Sequence, residues 1–265
     1  MTVTVCLVCL LAGWLTVRFL FKNRNAGRGK KIICSVLCGI LFACIAGAGY
    51  FAVYYHAEPV CDDALLSSET AEVREIDEGW FFDGKGTENA LIFYPGGKVE
   101  AEAYAPLMKR IAEKGTDCFL VKMPLNMAVF GWKKAETIMN EYKYERWYLA
   151  GHSLGGSAAA LYASKYPEQI EGLIMLAAYP TKKIDDDIAY LSIYGSEDGC
   201  LEKDIYESDR QYWPEDAEEH VIENGNHAGF GSYGKQKGDG NALISSAEQQ
   251  TETAEQIIEL IEHQQ

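Results

Sequence analysis

The first 57 residues contain no acidic side chain, although they carry six basic ones. All 39 acidic residues of the 265-residue chain therefore lie from Glu58 onward, where 18 basic residues leave a net charge of −21. A surface of this sign repels phosphate backbones, which argues against nucleic-acid binding by this part of the chain. With 48% hydrophobic and 24% charged residues, the composition excludes a disordered protein.

Two binding patterns are also missing from the sequence. No cluster of cysteine and histidine has the spacing of metal ligands, so no metal site is predicted. The glycine-rich segment Pro95–Val99 does not belong to a G-x-x-x-x-G-K-S/T motif, which excludes a nucleotide-binding P-loop. The sequence therefore predicts no cofactor.

The acid-free part contains two long apolar segments, residues 2–21 and 32–55. Each is long enough to cross about 30 Å of hydrocarbon as a helix, and neither has the one-sided apolar stripe of a core helix. The ten residues between them, 22–31, hold five positive charges, so the positive-inside rule predicts a cytoplasmic loop. We therefore predict that residues 1–57 form a transmembrane hairpin in the cell membrane and that the rest of the chain lies outside the cytoplasm.

Two alternatives stay open for the second apolar segment. A basic pair before an apolar run is typical of a signal peptide, with Ala46–Ala48 as the cleavage site, and Leu41–Cys44 loosely resembles a lipoprotein box. Phe42, where a small residue is preferred, and the apolar sequence up to Tyr55 favour an uncleaved hairpin. Either alternative still exports the acidic part of the chain.

Three of the eight cysteines lie outside the apolar part: Cys61, Cys118 and Cys200. Cys118 belongs to a strand-like run and is expected to be buried. A disulfide between Cys61 and Cys200 is compatible with an exported domain. The sequence leaves that pairing open.

Beyond a polar stalk at residues 58–70, residues 71–265 form one domain in which strand-like and helix-like segments alternate. Several strand-like segments, such as Leu91–Tyr94 and Leu173–Leu176, are continuous apolar runs typical of parallel strands buried on both faces. The alternation predicts an α/β fold with a mostly parallel sheet covered by helices on both faces. Strands are predicted at residues 73–76, 80–82, 90–94, 117–122, 146–150, 172–177, 190–194 and 220–223, and helices at 103–113, 132–141, 154–165, 202–212 and 246–262.

The most specific motif is Gly151-His-Ser153-Leu-Gly155, between an apolar strand and an alanine-rich helix. A strand-to-helix turn this tight needs residues without side chains two before and two after the serine. It holds Ser153 in a strained conformation with its hydroxyl exposed, as a nucleophile requires. The N–H of Leu154 opens the helix and is expected to stabilise an oxyanion.

A serine hydroxyl needs a base, and five histidines are available. His227 lies in a glycine-rich loop after the last strand, where it can reach the crevice at the carboxyl edge of the sheet. The others are less well placed, because His56 borders the membrane, His263 is in the tail, His152 is inside the turn and His220 is in a strand. We predict that His227 is the base.

The acid should follow a strand between the serine and the base. Asp198 fits this order, and the adjacent Glu197 is the alternative. The second oxyanion donor is expected in the loop Pro95–Val99, with the Gly97 N–H as first choice and Lys98 as the next. Lys98 is the only charge in that loop, and it either steers an anionic substrate or is solvated.

Apolar side chains near the crevice are candidates for contact with the substrate. The segment Met123–Phe130 follows a strand and is expected to line the mouth with Leu125, Met127 and Phe130, unless it packs these groups beneath itself. Phe230, three residues after the base, is expected to line the opposite wall.

Several segments in this order resemble the α/β-hydrolase superfamily, and within it a bacterial group of small hydrolases that are often membrane-anchored. They are Tyr94–Val99, Met123–Phe130, Gly151–Gly156, Tyr194–Gly199 and Gly225–Gly231. The resemblance covers residues 72–262. It implies a nucleophile at Ser153, an acid at Asp198, a base at His227 and backbone oxyanion donors near Gly97 and Leu154. In this fold, large caps are inserted between the strand that follows the helix after Ser153 and the next strand. Here only twelve residues, 178–189, separate the predicted strands 172–177 and 190–194, so no cap is expected.

The sequence thus predicts a membrane-anchored serine esterase that forms an acyl-enzyme with a small ester substrate. An acyltransferase, or a hydrolase of a cell-envelope lipid, thioester or amide, would use the same triad. A non-catalytic exported binding domain on the same scaffold is the third alternative, which the order of the triad disfavours. The natural substrate, its acyl length and the oligomeric state stay open.

Overall fold

A computed structural model describes residues 11–18, 28–86 and 88–264. The chain divides into two compact units, Met1–Val53 and Tyr54–Gln265. In the first unit, residues 11–18 are helical. The first helix whose two ends are both described, α1, spans Arg28–Ala52. The rest of the predicted first span, at residues 2–10 and 19–21, and residues 22–27 of the predicted basic loop lie outside the described residues.

One segment of the described residues is long and apolar enough to cross a membrane. It is Ile32–Ala52 within α1, with 21 residues and a mean hydropathy of 2.4. Only 6% of its most apolar stretch is buried within the described part of the chain. The backbone of Gly13 approaches this helix closely, since a Cβ atom on Gly13 would lie 2.6 Å from the nitrogen of Gly39.

The second unit is built on one eight-stranded sheet, with strand order β1-β2-β4-β3-β5-β6-β7-β8. The first three strands in this order pair antiparallel (β1 with β2, and β2 with β4), and every other pair of neighbouring strands is parallel. The predicted mostly parallel α/β sheet is confirmed. The strands are β1 Glu72–Ile76, β2 Gly79–Asp83, β3 Asn89–Tyr94, β4 Asp117–Val121, β5 Arg146–His152, β6 Gly172–Leu176, β7 Ala189–Gly195 and β8 Glu218–Ile222.

Helices cover both faces of this sheet. They are α2 Val60–Ala64, α3 Ala105–Ala112, α4 Lys134–Glu141, α5 Leu154–Ala163, α6 Lys203–Asp209 and α7 Ser246–His263. Alternate residues of the central strand β3 belong to two separate cores, which is why this strand is apolar throughout. Leu91 and Phe93 pack in a core with α3 and α7, whereas Ile92 and Tyr94 pack in a core with α4 and α5.

The segment predicted as a polar stalk is part of the second unit and is packed within it. It contains α2, and Cys61 is fully buried there. Cys61 and Cys200 are free thiols, so the disulfide that the sequence left open is not formed. The Cys61 thiol donates to the carbonyl of Ser232 at 3.5 Å, and burial raises its pKa to about 12.

The packing extends upstream to Tyr55, which pairs with the loop after β3. The Tyr55 N–H donates to the Lys98 carbonyl at 2.7 Å, and the Tyr55 carbonyl accepts from the Glu100 N–H at 2.9 Å. Its hydroxyl accepts from the N–H of Lys237 at 3.1 Å. Tyr55 was predicted as the end of a membrane span, whereas here it contacts the loops around the carboxyl edge of the sheet.

The connection from β6 to β7 contains no helix. It consists of residues 177–188, which form an irregular segment with one turn. No cap therefore covers the carboxyl edge of the sheet at this connection, as the short spacing in the sequence predicts.

Candidate active site

Ser153 lies in the turn between β5 and α5, and the helix begins at the next residue. Its φ and ψ are 51° and −122°, a sparsely populated conformation that costs about 1–3 kcal/mol for a residue with a side chain. Two main-chain hydrogen bonds hold it there. The Ser153 N–H donates to the Leu176 carbonyl of β6 at 2.9 Å, and its carbonyl accepts from the Ser157 N–H of α5 at 3.1 Å.

The glycines on either side of Ser153 are required by contacts between main chains. A Cβ atom on Gly155 would lie 2.1 Å from the carbonyl oxygen of Tyr94, at the end of β3. A Cβ atom on Gly151 would lie 2.5 Å from the carbonyl carbon of Gly155. Neither contact can be relieved by rotating a side chain, so α5 can begin this close to β3 and β5 only with glycine at both positions.

A buried pair of side chains faces this turn from the loops after β7 and β8. His227 Nδ1 lies 2.8 Å from Asp198 Oδ2, and the two side chains are 3% and 0% exposed. Asp198 Oδ1 accepts from the N–H groups of Cys200 at 2.8 Å and Leu201 at 2.7 Å. These two bonds hold the carboxylate in place independently of the imidazole. Because the carboxylate binds Nδ1, the other ring nitrogen of His227, Nε2, points away from it.

The alternative acid, Glu197, is not in this pair. Its side chain is exposed and accepts from the Ser196 hydroxyl at 3.1 Å. Adjacent residues of the turn point to opposite sides, and Asp198 is the residue that points inward.

Ser153 and His227 line one cleft of about 250 Å³. The other lining residues follow β5, β6 and β7: Leu154, Ser157, Ala177, Ala178, Tyr179, Cys200, Leu201 and Glu202. Within the described residues, no hydrogen bond joins the Ser153 hydroxyl to His227. Such a bond is often long in an enzyme without substrate and tightens when the substrate binds.

Two main-chain N–H groups beside Ser153 are candidate oxyanion donors. Gly97 lies against Leu154, since a Cβ atom on Gly97 would be 2.9 Å from Leu154 Cδ2. Neither the Gly97 nor the Leu154 N–H donates a hydrogen bond to any acceptor in the described part of the chain. The alternative donor, the Lys98 N–H, is already bonded to the Asn126 carbonyl at 2.7 Å. The two unpaired donors can therefore point at a bound carbonyl oxygen.

His152 contacts both Tyr104, which binds the loop Pro95–Val99, and His227, and no pattern in the sequence predicts this position. The Tyr104 hydroxyl accepts from the Gly96 N–H at 3.1 Å and forms a second hydrogen bond, 2.7 Å long, with His152 Nδ1. The imidazoles of His152 and His227 lie 4.5 Å apart. Burial, and secondly the neighbouring His227, holds the pKa of His152 well below its ordinary value, so His152 is neutral.

The predicted substrate-lining residues lie away from this cleft. None of Lys98, Leu125, Met127, Phe130 and Phe230 borders it. Leu125 and Phe130 are 57% and 55% exposed, and Phe230 is fully buried with its ring 5.5 Å from His152. The residues that line the cleft follow β5, β6, β7 and β8, and none of them follows β4.

An α/β-hydrolase fold is defined by the features described above: the order of the strands, a serine in the tight turn after β5, and a buried pair of aspartate and histidine. A family model described as the alpha/beta hydrolase family matches residues 90–251. This match covers more than half of the chain, which therefore belongs to the alpha/beta hydrolase family. A comparison with curated protein sequences finds no match.

Solved structures of hydrolases share the fold at low sequence identity. A dienelactone hydrolase from Anabaena variabilis is 13% identical, with a TM-score of 0.55 and 74% of this chain and 99% of that chain covered. A CIB-like hydrolase from Thermoplasma acidophilum is 12% identical, with a TM-score of 0.54 and 71% and 98% covered. An alpha/beta hydrolase from a sediment metagenome of the Mar Chica lagoon in Morocco is 15% identical, with a TM-score of 0.54 and 72% and 98% covered. At these identities the likeness concerns the fold alone.

The two neighbouring carboxylates provide a matched pair of variants. Asp198→Asn should lower kcat/KM for an ester by about a thousandfold or more, because the amide cannot hold His227 in the required tautomer or stabilise its positive charge. Glu197→Gln removes the same charge one residue away and should stay within about twofold of the wild type, since surface changes of this kind cost little. Equal losses in both variants, or a larger loss in Glu197→Gln, would contradict the assignment of Asp198.

Proposed function

We propose that this chain is a membrane-anchored serine hydrolase that cleaves carboxylic esters through an acyl-enzyme. One observation carries the proposal. A strained, half-exposed Ser153 shares a cleft with a histidine whose Nδ1 is 2.8 Å from a buried carboxylate. A binding protein has no need to keep a strained serine beside such a pair, whereas acyl transfer requires both.

The proposed reaction has two halves. Ser153 Oγ attacks the ester carbonyl carbon, and His227 takes the hydroxyl proton, so that the oxygen becomes an oxyanion between the N–H groups of Gly97 and Leu154. The intermediate collapses, the bond to the leaving alcohol breaks, and His227 returns its proton to that alcohol. A water molecule then attacks the acyl-enzyme by the same route and releases the carboxylic acid and Ser153.

Asp198 and the neutral His152 prepare His227 for its positive charge. Asp198 stabilises the imidazolium that forms in each half-reaction. A second positive charge at His152, whose ring is 4.5 Å away, would oppose that imidazolium. The burial that keeps His152 neutral therefore favours proton transfer to His227.

The size of the cleft bears on the substrate. Its volume of about 250 Å³ lies below the range of about 300–1,000 Å³ typical of ligand pockets, and no cap extends it. We infer that it accommodates a small acyl group or a small alcohol, and that a long acyl chain would extend into water.

Membrane anchoring has separate support in the first unit. The segment Ile32–Ala52 carries exposed aliphatic side chains along its length, as a lipid-facing helix does. Close approach of Gly13 to Gly39 resembles the small-residue packing of membrane helices. Together with the basic residues at 22–31, these features support a two-helix hairpin with both chain ends outside the cytoplasm.

Removal of the nucleophile tests the proposal directly. Ser153→Ala should lower ester hydrolysis by several orders of magnitude and abolish labelling by a fluorescent alkyl phosphonate, because both need the serine oxygen. Ser157→Ala, which removes a second hydroxyl from the same cleft, is the matched control and should still be labelled. Retention of more than about a tenth of the activity in Ser153→Ala would contradict the assignment.

Acyl-chain preference follows from the small open cleft. The fragment Tyr54–Gln265 should hydrolyse p-nitrophenyl acetate and butyrate with higher kcat/KM than the palmitate, because each unburied CH₂ forgoes about 0.8 kcal/mol of binding. Its rate should rise smoothly through the solubility limit of the ester, since no cap has to open. A preference for palmitate, or a jump in rate once an emulsion forms, would be incompatible with this site.

Topology can be tested on whole cells. Protease added to right-side-out spheroplasts should remove the domain from Glu58 onward, detected by an antibody to the C-terminus, because the basic loop is held in the cytoplasm. A cytoplasmic marker protein should stay intact in the same sample. Protection of the domain until the spheroplasts are lysed would overturn this orientation, and release of the domain without protease would favour the signal-peptide alternative.

A further inference from the structure

Asp239, in the irregular segment before α7, binds main-chain groups of both loops that carry the acid and the base. Its Oδ1 accepts from the N–H groups of Gly199 at 3.1 Å, His227 at 3.2 Å and Gly240 at 2.8 Å. Its Oδ2 accepts from the N–H of Ala228 at 2.8 Å. Hydrogen bonds to an ionised carboxylate are stronger than those between neutral groups.

The loops that Asp239 joins come from different strands. Gly199 directly follows Asp198 after β7, whereas His227 follows β8. The one side-chain contact between these loops that the reaction uses is the 2.8 Å bond from His227 Nδ1 to Asp198. Asp239 joins the same two loops through their main chains, at Gly199 next to Asp198 and at His227 itself.

We propose that Asp239 is a positioning residue that keeps Asp198 and His227 at hydrogen-bonding distance through the reaction. This inference rests on the proposed function for its catalytic consequence. Asp239 does not line the cleft with Ser153, so it acts through the two loops and not on the substrate. Misplacement of a catalytic group by about 1 Å costs about a hundredfold in rate, which is the scale of the expected effect.

Metal binding is the competing explanation for this carboxylate. Ligand atoms of Asp198, Cys200 and Asp239 lie within 4.8 Å of one another. All four carboxylate oxygens of the two aspartates already accept hydrogen bonds, three of them from main-chain N–H groups alone. An N–H donor repels a cation, so this environment favours the structural role over a metal site.

The segment around Asp239 has a second tether, which makes substitution practicable. Asn226 Nδ2 donates to the Gly240 carbonyl at 2.9 Å, and Asn226 O accepts from Gln249 Nε2 of α7 at 2.7 Å. Loss of the Asp239 carboxylate should therefore loosen the two loops without detaching the segment. The amide of an Asn substitution keeps one acceptor oxygen and places an NH₂ group against an N–H, so its effect should be smaller than that of Ala.

The test compares full-length wild type, Asp239→Ala, Asp239→Asn and the exposed surface control Asp216→Asn in detergent. Hydrogen exchange read by mass spectrometry should be about tenfold faster in Asp239→Ala for peptides that contain residues 198–201 and 226–229, intermediate in Asp239→Asn and unchanged in the control. With active sites titrated by a phosphonate, kcat per titrated serine should fall about tenfold to a hundredfold in Asp239→Ala. KM should change by less than about threefold, because the substrate does not touch Asp239.

The outcomes separate this inference from the proposed function. Unchanged hydrogen exchange in Asp239→Ala would overturn it, as would a normal kcat per titrated serine with fewer titratable sites, which would indicate a role in folding alone. If EDTA lowered the activity of the wild type, or sped up hydrogen exchange in its two loops, the Asp239 carboxylate would be assigned to a metal. That result would also overturn the inference. If the wild type neither hydrolyses esters nor reacts with the phosphonate while Asp239→Ala exchanges faster, the esterase proposal fails and the positioning role stands.

Discussion

Close contact between main chains at Ser153 is the constraint on which the rest of the site depends. Without a side chain at Gly155, the start of α5 lies against the carbonyl oxygens of Tyr94 and Pro95, 2.1 and 2.3 Å from where a Cβ atom would be. At this contact Ser153 has a positive φ, and Gly97 of the loop Pro95–Val99 lies against Leu154. The alanine-rich face of α5 packs in the core and helps to offset the strain.

Local signals in the sequence were sufficient to predict the sheet. A strand buried on both faces must be apolar throughout, and the runs at β3 and β6 show this directly. The strand β1 is predicted as well, but neither its antiparallel pairing nor the short helix α2 has a local signal in the sequence. The buried Cys61 contacts the Ser232 carbonyl, 171 residues away, and no local pattern in the polar segment around Cys61 indicates that contact.

The candidate site also contains residues that have a local signal in the sequence and residues that have none. Glycine spacing and chain order were enough to select Ser153, Asp198 and His227, because the fold fixes where each of them must come relative to a strand. Asp239 and the Tyr104–His152 pair have no such rule, since their partners are main-chain atoms or distant side chains. Leu125 and Phe130 are expected at the mouth because their segment follows a strand, but that rule does not say which of the loops at this edge borders the cleft, and both side chains are exposed away from its lining.

One irregular segment contacts both the loop that carries His227 and the first residues of the second unit. Residues 231–245 include Asp239, which holds His227, and also Ser232, whose carbonyl accepts from the Glu58 N–H at 2.8 Å. The Tyr55 hydroxyl accepts from Lys237 in the same segment, and its ring lies 5.6 Å from that of Tyr233. Long irregular segments without a helix or strand are uncommon in compact domains unless they serve the site. Tyr55 and Glu58 thus contact the same segment that contains Asp239, and the second unit begins at Tyr54, before the acidic part of the sequence starts.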